Sequence, residues 1–165
     1  MFFTAGASLE RVRAQLREMR ALADSPQLLA EAHCSAWTPA EHLDHSVKVT
    51  ASIINRLLDR EAPRGDGGMS ATGRIVLAVG RIPRGRGKSP ERLRGARIGA
   101  AELHAGLTKL EGKIDELEAS HLADTRGAIV PHPRFGDLRP SQALRFAAVH
   151  NDHHLRIIED ILRMR

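Results

Sequence analysis

The stretch VHNDHHLRIIEDIL, Val149 to Leu162, places three histidines within five residues on a segment whose apolar positions repeat like one face of a helix. At about 100° per residue, Phe146, His153, His154, Ile157 and Ile161 all fall within roughly 60° of His150. His150 therefore lies in the middle of the apolar stripe, with His153 and His154 on either side of it. A helix that turns imidazoles toward a core needs a reason. One buried neutral ring can donate to a carbonyl, but several together keep lone pairs that need partners, and protonated rings would repel one another in a low dielectric. A divalent cation resolves the conflict by accepting those lone pairs. His150 and His154, one turn apart, can direct two nitrogens at one ion, and a third histidine from a facing helix would complete a three-nitrogen set with positions left open for water or substrate.

Working outward, the same periodicity recurs. In WTPAEHLDHSVKVTASIINRLLDR, Thr38 is placed to cap a helix of roughly 20 residues, with Pro39 at its first position and Glu41 at its third, a capping box. On that helix His42 and His45 share a face with Val49 and Ile53, so a core imidazole is available there too. Upstream, Leu9, Val12, Leu16 and Met19 mark a first helix that Ser8 can cap and that ends near Asp24-Ser25-Pro26. Ser89-Pro90 is expected to open a third long helix, whose Leu103, Leu107, Leu110, Ile114 and Leu117 alternate four and three apart. A fourth runs from about Pro140 to the C-terminus. MSATGRIVLAVGRIP adds a short helix before Pro83. GAIVPHPRFGDLRPS, with three prolines and two glycines, reads as a structured loop. The expected fold is all-α, a four-helix bundle with one long crossover, in one domain spanning residues 1–165.

Composition agrees with this. The apolar content is 42%, aromatic residues make up only 3% and Tyr is absent, so the core must be aliphatic. The single Cys34 excludes an internal disulfide framework and reads as inert packing rather than a nucleophile. No segment reaches the roughly 18 apolar residues of a membrane span, and the first twenty residues lack a basic leader, so a soluble cytoplasmic protein is expected. The net charge of +5 is unevenly placed: Arg60 to Arg97 holds ten Lys/Arg against three Asp/Glu, a surplus of seven. That region is Gly- and Pro-rich and lacks stacking aromatics, so a solvated loop outweighs a nucleic-acid interface.

Three segments, WTPAEHLDH (Trp37 to His45), HPRFGDL (His132 to Leu138) and HNDHHLRII (His150 to Ile158), resemble the DinB-like superfamily of metal-binding four-helix bundles. Most similar is its branch ending in HP-x-FG-x-L and H-x-x-HHL. The resemblance implies a metal site of His45, His150 and His154, with His42 and His153 as supporting or packing residues. It also implies a zinc- or nickel-type ion, a homodimer and, in some members, thiol transfer or isomerisation with a low-molecular-weight thiol. The small-molecule substrate is then handled by a metal-dependent hydrolase or thiol transferase. The alternative is a bundle whose metal site is structural or vestigial. In place of the Ser or Thr cap expected for the fourth helix stands Arg139. His132, between two prolines, is expected to anchor a loop at the pocket mouth, where the starts of helices two and four meet residues 127–140. Glu41 is the obvious carboxylate near His45, but its capping-box place explains it; Asp152 and Glu159 fall off the His150 face.

Overall fold

The structure, a computed structural model, describes residues 4–31, 34–63, 67–85, 89–123 and 128–163. The first three residues of the N-terminal reading, Arg64, Arg86 and Lys88 of the basic stretch, Gly127 at the start of the Pro-rich loop, and the last two residues of the C-terminal helix lie outside them. The chain is predominantly helical: α1 (Ala5–Ala23), α2 (Pro39–Leu58), α3 (Ala71–Val79), α4 (Ala100–Ser120) and α5 (Pro140–Arg163). Three short strands, β1 (Gly68–Met69), β2 (Val130–His132) and β3 (Gly136–Leu138), correct the all-α expectation.

α1 begins one turn before the expected cap. The Thr4 hydroxyl accepts from the Ala7 N–H, and Ser8 is buried within the helix. The helix-favouring Ala5 and Ala7 let an equivalent hydroxyl four residues earlier take the capping role. α2 starts where expected, with Pro39 following the Thr38 cap and both halves of the capping box formed. α1 packs on α4 and α5, and α2 packs on α4 and α5. The Leu103, Leu107, Leu110, Ile114 and Leu117 seam of α4 is wholly buried in an aliphatic core.

α4 starts at Ala100, not at Ser89-Pro90. What precedes it is a single 3-10 turn, Glu91–Leu93, and then extended chain. Helix propensity loses here to hydrogen bonds from α2. His45 Nδ1 donates to the Leu93 carbonyl at 2.6 Å, Lys48 Nζ to the Arg94 carbonyl at 3.0 Å, and Asp44 Oδ2 accepts from the Ala96 N–H at 2.7 Å. Gly95 lies so close to the first turn of α2 that a Cβ on it would stand 1.9 Å from the Glu41 carbonyl oxygen. Residues 93–97 form a strap across α2.

The expected loop at 127–140 contains a β-hairpin. β3 is the central strand, antiparallel to β2 (Val130 opposite Leu138) and to β1 (Gly68 opposite Asp137). Pro131 is tolerated because β2 is an edge strand. His132 Nδ1 accepts from the N–H groups of Arg134 and Phe135 and closes the turn, while Gly136, at φ +74°, passes the Gly68 carbonyl where a Cβ would stand 2.3 Å away. These contacts give the H-P-R-F-G motif a physical basis. α5 lacks a hydroxyl cap; instead Arg139 N–H donates to Gln142 Oε1, three residues on, at 3.0 Å. No helix among the described residues is long and apolar enough to cross a membrane.

Candidate metal centre

α2 and α5 run antiparallel, so that His45 meets His150 and His42 meets His154. All four rings are buried. Ring nitrogens of His45, His150 and His154 lie within 4.8 Å of one another, the three residues the sequence brought forward as ligands. The Nε2 atoms of His45 and His150 are 3.1 Å apart. Two nitrogens held by one zinc at 2.0–2.1 Å in tetrahedral geometry stand about 3.3 Å apart, so this pair has a fitting separation.

The strap settles which His45 nitrogen is available. A carbonyl only accepts, so Nδ1 carries the proton toward Leu93 and Nε2 presents a bare lone pair to the cluster. His150 Nδ1 is buried with no hydrogen-bond partner among the described residues. His154 Nδ1 is 2.8 Å from His42 Nδ1, which leaves Nε2 as its free nitrogen; His42 Nε2 in turn is 2.8 Å from Ser35 Oγ. A cluster of buried rings whose nitrogens face one another, with the His45 Nε2 lone pair bare, suits a cation.

Burial is the first cause of the low basicity throughout. It pushes His42 down to about 4 and lowers His45, His150 and His154, with the neighbouring rings adding to the effect on His42, His150 and His154. The Leu93 hydrogen bond and Asp44 partly offset the effect on His45. The rings are thus neutral at pH 7, the state in which imidazole binds metal.

Around them, half-buried Trp37 sets its indole edge-on to His42 and His45 and stacks on His154, with centroids 5.4, 5.1 and 6.2 Å away. Half-buried His153 lies beside His154 and is hydrogen-bonded to the Ile82 backbone, so it ties the segment after α3 to α5. Trp37 and His153 thus flank the buried rings and are themselves only partly covered. The starts of α2 and α5 do not meet at residues 127–140 as expected: that segment lies toward the end of α2, where Arg56 Nε donates to the Ile129 carbonyl. His132 stands one ring further from the cluster, stacked on Phe135 at 4.3 Å and edge-on to Phe146, which in turn contacts His150.

Among the carboxylates, Glu41 Oε2 accepts from the Thr38 N–H and hydroxyl, Asp44 holds Ala96 and Lys48, and Asp152 pairs with Arg11. Cys34 is exposed and not packed. Sequence reasoning missed Asp44, Ser35 and the Leu93 carbonyl. Trp37 was visible only as part of a motif, and a carbonyl has no sequence signal.

Searches of the curated proteins and of the solved structures give no match. The sequence does match the DinB superfamily over residues 8–158, nearly the whole chain and all three segments that carry the histidines. A match of that extent, on a helical fold with three histidines gathered between two of its helices, means that this chain belongs to the DinB superfamily.

Proposed function

We propose that His45, His150 and His154 hold one divalent ion of zinc or nickel type, and that the chain acts on a small molecule as a metal-dependent hydrolase or thiol transferase. The observation that carries this reading is the convergence of three buried, neutral imidazoles within 4.8 Å, with the Nε2 atoms of His45 and His150 3.1 Å apart. In the same reading the four long helices form one bundle domain, with α3 and the sheet as additions to it. When bound, such an ion supplies Lewis acidity that lowers the pKa of a water or a low-molecular-weight thiol. The protein's own residues do the rest. The Leu93 carbonyl holds His45 in the tautomer with Nε2 free, His42 braces His154, and Trp37 packs against the rings of His42, His45 and His154.

Elemental analysis of the purified protein tests the reading. About one divalent ion per chain is expected, and His150→Ala should reduce it well below one. Undiminished stoichiometry would remove His150 from the ligand set. A screen of the loaded protein with common cellular thiols and hydrolysable esters then separates an enzyme from a bundle whose metal serves stability alone.

A further inference from the structure

Beside the histidines, the core contains a second polar group that plays no part in that reading. Gln15 on α1, Thr50 on α2 and Asn151 on α5 are all fully buried. The Thr50 hydroxyl donates to Asn151 Oδ1 at 3.2 Å, and Asn151 Nδ2 donates to Gln15 Oε1 at 3.3 Å. Gln15 Nε2 donates back to α5, to the Ala148 carbonyl at 2.8 Å and to Asp152 Oδ1 at 2.7 Å. The two ends of the Asn151 amide thus grip two different helices, one residue after His150 and three before His154.

Apolar packing is non-directional and tolerates a roll of one helix against its neighbours, whereas hydrogen bonds from one amide to two helices do not. The magnitudes make this matter. A ring nitrogen about 6 Å from the helix axis moves about 2 Å for a roll of about 20°. Metal–nitrogen bonds tolerate only about 0.2 Å. Burying three polar side chains is costly unless each is bonded, and here each is, so the group fixes orientation without leaving an orphan of its own.

We propose that Asn151, gripped by Thr50 and Gln15, is a positioning residue that sets the roll of α5 and thereby the affinity of the His45, His150 and His154 cluster for a divalent cation. The proposal rests on the metal-centre reading above.

The test measures zinc affinity by competition with a chromophoric chelator, with the melting temperature of each metal-free protein recorded alongside. Asn151→Leu and the near-isosteric Thr50→Val should each weaken zinc binding roughly tenfold or more at unchanged stoichiometry. Both should also alter the visible spectrum of the cobalt-loaded protein, and Thr50→Ser should restore both readouts. Wild-type zinc affinity and cobalt spectrum in Thr50→Val, with only the melting temperature altered, would overturn the proposal and reduce the group to a stability element. Should Asn151→Leu fail to fold, Thr50→Val decides. His150→Ala separates the two levels: full zinc stoichiometry in that variant defeats the metal-centre reading and the positioning role with it, whereas loss of zinc there alongside wild-type affinity in Thr50→Val defeats the positioning role alone.

Discussion

At the scale of single residues, the centre is defined by protons that its rings do not hold. An unfolded histidine titrates near 6.5, while burial brings His42 to about 4 and moves His45, His150 and His154 in the same direction. Below pH 6.5 the unfolded chain therefore binds protons that the folded chain refuses, so stability is greatest above that pH and declines as the pH falls toward 4. At pH 5, His42 alone accounts for a loss of about 2 kcal/mol. The metal-free protein should then melt roughly 4–8 °C lower at pH 5 than at pH 7.5, as read by circular dichroism. A melting temperature that is flat across this interval would show that the rings are not held neutral by the fold. The residues concerned were legible because helical periodicity is local: the place of His150 on an apolar stripe follows from its neighbours in sequence. The Leu93 carbonyl, which selects the His45 tautomer across 48 residues of chain, was not.

At the scale of elements, the strap over α2 and the hairpin beside α3 are where sequence expectation and structure part. Ser89-Pro90 followed by a leucine heptad has the form of a helix start. The backbone there is instead held by His45, Asp44 and Lys48, partners about fifty positions away that no local pattern announces. The hairpin was hidden by Pro131, which is acceptable because β2 is an edge strand, and by Pro133, which lies in the turn between β2 and β3. Each element carries a glycine that can be tested. Gly95→Ala sets a methyl group against the Glu41 carbonyl and must lift the strap, at a cost of about 1–3 kcal/mol. Because the lifted strap also frees the His45 ring, zinc affinity should fall together with stability. Gly136→Ala strains a positive-φ residue against the Gly68 carbonyl by a comparable amount, but the hairpin reaches the cluster indirectly, through the edge-on contacts of His132 and Phe135 with Phe146. It should lower the melting temperature with less effect on zinc. Chelator competition and thermal melts on both variants check the contrast, and equal losses of zinc affinity would contradict the assignment of the strap to His45.

For the whole molecule, the helices and their inward faces could be read because an aliphatic, Tyr-free chain with 3.6-residue periodicity has few alternatives to packed helices. The small sheet and the orientation of the site mouth depend on how the helices pair, which composition does not encode. α2 and α5 meet antiparallel through the histidines, so an ion seated there would join two long helices that are distant in sequence. An ion that binds the folded chain and not the unfolded one stabilises it by about 2.7 kcal/mol at a free concentration of 100 times its Kd. For a chain of this size that raises the melting temperature by roughly 5–10 °C. Zinc-loaded protein should melt higher than chelator-treated protein by this margin, and readdition of zinc should restore the difference. In His150→Ala the two samples should melt together, because the cluster is broken while the helices remain. If wild-type protein melts at the same temperature with and without zinc, no ion links α2 to α5, and the convergence of the three rings must be explained by packing alone.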